Sequence, residues 1–286
     1  STPKPSSAAS DVYKRQKHTY PFCWRCDTPL LYYAKSSWYI RTTAVKDNMV
    51  EGNGNIEWHP EYIRDGRFGE WLRNNIDWAI SRERYWGTPI PIWRCSLCQA
   101  LECVGSVEEL KSLASTGLGV ELDDLDLHRP HIDSITLSCS SESCSGTMYR
   151  IPEVMDAWFD SGAMPYAQWH YPFENDDIVT QGLFPADYIC EAVDQTRGWF
   201  YSLHALGTLL HNQPAYKNVI CLGLILDGRG RKMSKRIGNV VEPNSILDVT
   251  GADALRWYLF TASHPGEPRR FSDKLVNETL RRVLLT

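Results

Sequence analysis

Hydrophobic positions in the C-terminal half of the chain follow two different periods, which predict alternating strands and helices. Apolar runs at 187–191 and 218–226 predict buried strands, and a helical repeat of apolar residues spans 196–210 between them. A strand, a helix and a second strand joined by short links are typical of a parallel sheet. The pattern therefore predicts an α/β fold over 151–262.

The end of the chain is predicted to be helical. A short helix at 243–249 is closed by Gly251, and a helical pattern continues over 252–261. An amphipathic helix is expected at 273–285. We assign 263–286 to the start of a helical stem.

The N-terminal third has a weaker pattern. Residues 1–16 are rich in Ser, Pro and Ala and lack an apolar period, which predicts a disordered leader. Residues 17–76 hold short aromatic and β-branched runs, such as 31–33, which predict short strands separated by turns at sites such as 53–54. One short helix is expected at 68–75.

Residues 95–150 differ in composition from the rest of the chain, which predicts a small module inserted into the larger fold. They are Ser-rich and acidic in the middle, and Ser106 and Glu109 have the spacing of a capping box for a helix at 107–114. Segment 77–94, whose prolines keep its end extended, leads into this module.

Composition narrows the functional classes. A net charge of -5 and a pI of about 5.9 exclude the class of proteins that bind nucleic acid over a surface that is basic throughout. We expect no membrane span, because no apolar run reaches about 18 residues. Cysteines paired as Cys-x-x-Cys favour metal thiolates over disulfides, which predicts a reducing, cytoplasmic location.

Two cysteine pairs bracket the predicted module and indicate a tetrahedral four-thiolate zinc site. The four are Cys95, Cys98, Cys139 and Cys144. The spacer is longer than in a common zinc ribbon, so four unpaired thiols are the alternative; a small module of low apolar content would need a metal to fold. Cys23 and Cys26 form a further pair, either a metal-free turn or half of a second site.

A cationic loop with two glycines follows the second predicted strand. Five of the nine residues at 228–236 are Lys or Arg. Glycines permit close backbone approach, and ammonium groups offset phosphate charge that moves in a transition state. The alternative is a solvated basic turn.

Polar side chains follow the first predicted strand, where ligands bind in open α/β sheets. Glu191, Asp194 and Gln195 can bond ribose hydroxyls or an ammonium group, although Asp194 would serve equally well as a helix N-cap. Trp158 and Trp199 could wall an apolar pocket, and core packing is the alternative for each.

Three segments resemble the isoleucyl-tRNA synthetases, a family within the class I aminoacyl-tRNA synthetases. The Lys-Met-Ser-Lys run at 232–235 is similar to the Lys-Met-Ser-Lys-Ser loop of that class, with Arg236 in place of the last Ser. Segment 77–87 resembles a stretch shared by the isoleucine, leucine and valine enzymes. Segment 191–200 carries Asp-Gln-x-Arg-Gly-Trp-Phe, which is most similar to the isoleucine family, and the resemblance runs from about His18 to the C-terminus.

This resemblance implies a fold and an activity. The fold would be the second half of a Rossmann-like, parallel-sheet catalytic domain with a small zinc-binding insertion, and 17–76 would end the connective or editing insertion region. The activity would be ATP-dependent activation of isoleucine to an adenylate, followed by transfer to tRNA(Ile). ATP, Mg²⁺ and Zn²⁺ would be the cofactors, and the full-length enzyme would be a monomer.

The resemblance also implies roles for individual residues. The adenylate would be held by Glu191, Asp194 and Gln195, and the isoleucine side chain by Trp158, Trp199 and Gln195. ATP would meet the loop residues Lys232, Met233, Ser234 and Lys235, of which the two lysines would stabilise the leaving pyrophosphate. Cys23 and Cys26 would pair with a Cys-x-x-Cys that precedes the editing domain in some relatives.

The chain also departs from the family pattern. It lacks the His-Ile-Gly-His signature, an editing domain before His18 and an anticodon-binding domain after Thr286. We therefore expect a fragment that does not aminoacylate tRNA alone. Ala192 stands where the family pattern has Gly, which narrows the crevice slightly.

Three other interpretations stay open at this point. The first is a fragment of a valyl- or leucyl-tRNA synthetase, because one methylene is worth only about 1–3 kcal/mol in an apolar pocket. The second is a zinc-stabilised RNA-binding module without catalysis. The third, a dehydrogenase-like nucleotide fold, is weak because no Gly-x-Gly-x-x-Gly follows a strand.

Overall fold

The computed structural model describes residues 20–23, 26–115, 125–235 and 237–286. The predicted leader at 1–16 lies outside these residues. The chain divides into two compact units, Ser1–Ser37 and Trp38–Thr286.

The first unit contains a tight turn. Phe22 and Pro29 form an antiparallel bridge, and the backbone N–H of Cys23 donates to the carbonyl oxygen of Thr28 at 2.8 Å. The predicted strand at 31–33 is not a strand, and its side chains are exposed to water.

The second unit holds short strands and helices. The strands are β1 (Tyr39–Ile40), β2 (Glu57–His59), β3 (Trp78–Ala79), β4 (Ser81–Arg82), β5 (Ile92–Cys95), β6 (Leu101–Cys103), β7 (Thr136–Ser138), β8 (Thr147–Arg150), β9 (Val154–Met155), β10 (Ala186–Ala192), β11 (Tyr216–Leu222), β12 (Ile225–Leu226) and β13 (Arg269–Arg270). The α-helices are α1 (Lys46–Gly54), α2 (Gly69–Arg73), α3 (Val107–Leu113), α4 (Ala157–Ala167), α5 (Trp199–His211), α6 (Pro243–Thr261) and α7 (Asp273–Thr279). Short 3-10 or π turns lie at Thr42–Val45, Arg64–Phe68, Ile132–Ser134, Val193–Arg197 and Leu280–Leu284.

A parallel sheet in the order β10-β11-β2 forms the centre of this unit and confirms the predicted α/β fold. Its core includes Phe68, Phe200, Tyr216 and Val219, all of which are fully buried. The helix α5 connects β10 to β11, as the strand–helix–strand pattern predicts.

The second predicted strand is shorter than expected. It breaks after Leu222 because the chain passes very close to the segment around Glu267. A Cβ on Gly223 would lie 2.0 Å from the carbonyl oxygen of Glu267, and the Gly223 N–H donates to the carbonyl oxygen of Pro265 at 2.7 Å. The expected helix at 196–210 likewise starts late, at Trp199, after a 3-10 turn.

The region before residue 77 contains elements that the sequence pattern missed. The predicted turn at 53–54 is the end of helix α1. Strand β2 pairs in parallel with β11, with Trp58 opposite Val219, so this region contributes to the central sheet. Its assignment to the end of an editing insertion stays a prediction.

The module predicted at 95–150 forms an antiparallel sheet in the order β6-β5-β8-β7. The expectation of low apolar content is wrong, because Leu110, Leu137 and Met148 are buried in a separate hydrophobic cluster. The predicted capping box is present: the Ser106 hydroxyl accepts from the Glu109 N–H at 3.0 Å. The Glu109 carboxylate in turn accepts from the backbone N–H of residue 105 at 2.6 Å.

The C-terminal helices agree with the predicted pattern in outline. Helix α6 joins the two predicted helices across a bend at Gly251, whose φ of 77° is outside the helical range. Helix α7 and the π turn after it replace the single helix expected at 273–285. None of the helices in the described ranges has the length and apolarity that a bilayer crossing requires.

Candidate active site and metal centre

A cleft of about 380 Å³ opens beside the carboxyl end of β10. Its walls are Trp158 and Ser161 of α4, Glu191 of β10, Gln195 of the following turn and Trp199 of α5. Four of these five residues were singled out from the sequence, and Ser161 was not.

Helix α4 is positioned at the cleft by its first residue and by a close helix–helix contact. The carboxylate of Asp156 caps α4 by accepting from the Trp158 N–H at 3.3 Å, and it also pairs with Arg82 at 2.5 Å. A Cβ on Gly162 would lie 2.9 Å from the backbone carbon of Ser202, so the absence of a side chain lets α4 approach α5 closely.

The polar wall of the cleft is held by hydrogen bonds of Gln195. Its side-chain oxygen accepts from the Trp199 N–H at 3.1 Å, and its amide nitrogen donates to Asp194 at 3.0 Å. The alternative role of Asp194 as N-cap is wrong, because Ala192 and Gly198 occupy the cap positions of the turn and of α5. A Cβ at Gly198 would lie 2.9 Å from the Gln195 side-chain oxygen, so a larger residue there would displace that side chain from its present position.

Both tryptophans line the cleft, and Trp199 also packs against the main hydrophobic core. Trp158 is 42% exposed, and Trp199 is half-buried with its indole N–H donating to the Ser161 carbonyl oxygen at 3.0 Å. Trp158 also lines a second cavity of about 190 Å³, whose walls include Trp71 and Arg197. The Arg197 guanidinium lies 5.2 Å from the centroid of the Trp71 ring.

The basic loop starts with a tight hairpin. Leu226 and Lys232 form an antiparallel bridge, and the Gly230 N–H donates to the Asp227 carbonyl oxygen at 2.8 Å. Gly230 has a φ of 79°, which favours glycine.

Asp227 holds both ends of this loop together. Its buried carboxylate accepts from the Asn239 side-chain amide at 2.9 Å, from the Arg231 guanidinium at 2.9 Å and from the Arg229 N–H at 3.0 Å. The bond from Asn239, with those from Arg231, lowers the pKa of Asp227 far below its ordinary value. The Asn239 oxygen also accepts from the Ser234 N–H at 2.8 Å.

The loop residues do not line the cleft around Trp158. Four loop residues follow β12 in the chain, and none of them is among the residues that line the cleft: Lys232, Met233, Ser234 and Lys235. Met233 packs on the hydrophobic cluster of α6 and α7. Arg236 lies outside the described residues.

The four cysteines predicted to bind zinc converge. The sulfur atoms of Cys95, Cys98, Cys139 and Cys144 all lie within 4.8 Å of one another. Cys95 Sγ lies 3.6 Å from Cys144 Sγ, and Cys98 Sγ lies 3.5 Å from Cys139 Sγ. A zinc ion about 2.3 Å from each sulfur of a tetrahedron needs sulfur separations of about 3.8 Å, so the donor set fits zinc.

Local hydrogen bonds prepare one of these thiols for metal binding. Backbone N–H groups of Cys98 and Leu97 stabilise the Cys95 thiolate and lower its pKa to about 6. At Cys139 the Ser141 N–H acts in the same direction, but burial and the neighbouring thiols outweigh it and raise the pKa to about 12.

Cys23 and Cys26 belong to the turn of the first unit. Hydrogen bonds from Thr28, whose hydroxyl oxygen lies 3.1 Å from the Cys26 sulfur, lower the pKa of Cys26 to about 7. Within the described ranges no third metal ligand joins them, so their role as a half-site stays a prediction.

Three contributors to these sites have no strong sequence signal. Ser161 acts through its carbonyl oxygen, which any residue would supply. Asp227 and Asn239 flank the Lys-Met-Ser-Lys run. The only sequence signal for their hydrogen bond is that one polar residue stands at each end of a cationic loop.

Comparison with known proteins shows similarity along almost the whole chain. The family model described as tRNA synthetases class I (I, L, M and V) matches residues 4–272. An isoleucine–tRNA ligase of Dehalococcoides mccartyi is 62% identical over 274 residues, which are 95% of this chain and 27% of that protein. The isoleucine–tRNA ligase of Thermus thermophilus is 53% identical over 94% of this chain and 25% of its own length. The chain thus spans about a quarter of the curated relatives that it matches.

Solved structures show the same fold at low sequence identity. A Mycobacterium tuberculosis methionyl-tRNA synthetase in complex with methionyl-adenylate matches with a TM-score of 0.60 at 16% identity, over 93% of this chain and 41% of that one. The Agrobacterium radiobacter K84 ternary complex of LeuRS, tRNA and LeuAMS matches with a TM-score of 0.53 at 23% identity, over 72% of this chain and 27% of that one.

Proposed function

The chain belongs to the class I tRNA synthetases, and from that premise we propose that it is the amino-acid-activating part of an isoleucine–tRNA ligase. The whole protein would join isoleucine to ATP as isoleucyl-adenylate and then transfer it to tRNA(Ile). The observation that carries the proposal is the cleft that joins two tryptophans to Glu191 and Gln195, in a chain 62% identical to a ligase of that name.

In this proposal the cleft binds the amino acid. Trp158 and Trp199 contact the aliphatic side chain, because ligand pockets are lined mostly by apolar and aromatic side chains. The few polar groups of such a pocket fix the orientation of the ligand. Glu191 accepts hydrogen bonds from the isoleucine ammonium or the ribose. Gln195, held by Trp199 and Asp194, offers its remaining hydrogen-bond capacity to the adenylate.

The basic loop acts on the phosphates. The isoleucine carboxylate attacks the α-phosphorus of ATP, the bond to the β-phosphate oxygen breaks, and pyrophosphate leaves with the electron pair. Lys232 and Lys235 offset the charge that develops on that leaving group. Mg²⁺, when bound with ATP, would neutralise further phosphate charge, and we propose that zinc stabilises the module without taking part in this step.

The test is isoleucine-dependent exchange of pyrophosphate into ATP, measured on the longer protein that contains this chain. We expect exchange with isoleucine, and a loss of about 10²- to 10³-fold on Lys232→Ala or Lys235→Ala. Lys217→Ala is the matched control, since that exposed lysine pairs with Asp187 on the sheet. Stronger exchange with valine or leucine would move the assignment to those enzymes.

Absence of exchange with every amino acid would overturn the proposal. If such a protein still bound tRNA, the non-catalytic, zinc-stabilised RNA-binding function would replace it.

A further inference from the structure

Two large aromatic side chains stand exposed on the segment that follows β4, next to the zinc module. Tyr85 is 58% exposed and Trp86 is 70% exposed. The Trp86 indole stacks on the imidazole of His128, with 4.8 Å between ring centroids and 2° between ring planes. The Arg129 guanidinium lies 5.1 Å from the centroid of Tyr85. We call these four residues the aromatic platform.

The platform is held in place from the module side. Arg129 donates to the Asp133 carboxylate at 2.8 Å and to the Pro152 carbonyl oxygen at 3.0 Å. His128 is fixed by Asp126, which accepts from its backbone N–H at 2.8 Å and lies 2.9 Å from its Nδ1. Aromatic surface that is both exposed and fixed marks an interaction site more often than a mobile surface side chain does.

Stacking geometry indicates which ligand such a surface fits. Trp86 uses one ring face on His128, and its high exposure leaves the other face open to water. A planar base can continue this stack, because base–aromatic stacking is tolerant of sequence and needs only an unpaired base. Duplex nucleic acid cannot offer such a face except at its end.

Charge is compatible with a phosphate backbone. Asp133 also pairs with Arg150 at 2.5 Å, so two guanidinium groups share one carboxylate and leave a positive charge beside Tyr85. Arg84, the residue before Tyr85, is exposed and adds a second cation. The carboxylate of Asp126 is engaged by His128 and lies 3.7 Å from His131.

The platform lies close to the cleft along the chain. Trp86 is four residues after Arg82, so its Cα lies within roughly 14 Å of the Arg82 Cα. Arg82 pairs with Asp156, which caps the helix that carries Trp158. The platform is therefore linked, through Arg82 and Asp156, to the helix that carries one wall of the cleft.

We propose that the aromatic platform binds an unpaired nucleotide of the tRNA by stacking on Trp86, with the arginines beside it contacting phosphate. The proposal rests on the proposed function for its choice of RNA. A protein partner would also favour Tyr, Trp and Arg. The open face of a coplanar stack flanked by guanidinium groups favours a base.

The experiment measures tRNA affinity of the longer enzyme by fluorescence anisotropy, together with the KM for tRNA and for isoleucine. Trp86→Ala should weaken tRNA binding about tenfold to hundredfold and raise the KM for tRNA in proportion. Trp86→Phe should retain most of the affinity, because it keeps an aromatic face. Tyr62→Ala is the matched control, since Tyr62 is an aromatic side chain that is 67% exposed and does not belong to the platform.

Three outcomes would overturn the inference. Unchanged tRNA affinity in Trp86→Ala removes the platform from RNA binding, and equal losses in Trp86→Ala and Tyr62→Ala make the effect unspecific. A change of oligomeric state in Trp86→Ala would reassign the surface to a protein interface. If the unsubstituted enzyme activates no isoleucine, the proposed function fails, while anisotropy with a short single-stranded RNA still decides the platform.

Discussion

The parallel sheet and the antiparallel sheet of the four-cysteine module differ in how the chain forms them. The parallel sheet joins strands from distant parts of the chain, with His59 of β2 opposite Ile220 of β11. The module closes within one continuous stretch and carries its own core around Trp93 together with four converging cysteines. The comparison teaches that the module is stabilised locally, whereas the sheet that bears the cleft depends on long-range contacts.

Their edges differ as well. Strand β10 pairs with β11 on one side, and its other edge has no partner strand among the described residues. Tyr188 on this strand is 64% exposed. Local closure therefore coincides with the candidate metal site, and an open edge coincides with the candidate active site.

The largest effect should come from breaking the metal centre. Cys98→Ser removes one of four thiolates, and structural zinc contributes an apparent binding free energy of about 10–16 kcal/mol in small domains. We expect loss of zinc and of hydrogen-exchange protection in β5 and β8, with protection kept in β10 and β11. Metal analysis and hydrogen exchange measure both.

Cys103→Ser is the matched control, because Cys103 is an exposed thiol of the same sheet outside the cluster. Equal loss of protection in both sheets would show that the two regions fold as one unit.

A second test acts on the parallel-sheet core through pH. His204 is fully buried, burial lowers its pKa to about 4 from 6.5, and its Nε2 lies 2.7 Å from the Met49 carbonyl oxygen. The unfolded chain takes up a proton near pH 6.5 and the folded chain near pH 4. The contribution of neutral His204 is thus complete above pH 6.5 and falls by up to about 3 kcal/mol as the pH drops to 4.

Urea unfolding across that range measures the effect. His204→Gln keeps a side-chain donor for Met49 but removes the titration, so its unfolding free energy should change less over the same interval. An identical pH profile for both proteins would assign the acid sensitivity to other groups.

A third test sharpens the role of helix approach at the cleft. Gly162→Ala places a methyl group 2.9 Å from the Ser202 backbone and should lower the free energy of unfolding by about 1–3 kcal/mol. Gly54→Ala meets no atom within 4 Å and should be nearly neutral. Denaturant titration compares them, and equal effects would contradict the argument from close approach.

The smallest effect should come from the helix cap of the module. Ser106→Ala removes the acceptor for the Glu109 N–H and should cost about 1 kcal/mol. Ser106→Asp should restore most of that loss. Amide exchange within α3 measures it, and faster exchange in the parallel sheet instead would show that the cap acts beyond its module.

Local signals in the sequence predict the local structure well. The apolar runs predict the two main strands, and the Ser106–Glu109 spacing predicts the cap of α3. Cysteine spacing predicts the four-thiolate centre, because each pair lies on a short turn that can bring two sulfurs together.

Long-range geometry was not predictable in the same way. The pairing of β2 with β11 depends on contacts between residues far apart in the chain, and no local period encodes it. Gly162 and Gly198 matter because of what approaches them, which a glycine in a sequence does not reveal. For the same reason, the sequence identified Gln195 as a ligand candidate but not as the acceptor for the Trp199 N–H at the start of α5.

The unpaired edge of β10 has a practical consequence for anyone who handles this chain in isolation. No strand of the described residues pairs with its outward N–H and C=O groups, so they can pair with a strand of a second molecule, and the exposed Tyr188 adds apolar surface. Concentrated samples should therefore self-associate through this edge, and a lysine introduced at position 188 would be the natural first remedy for poor solubility.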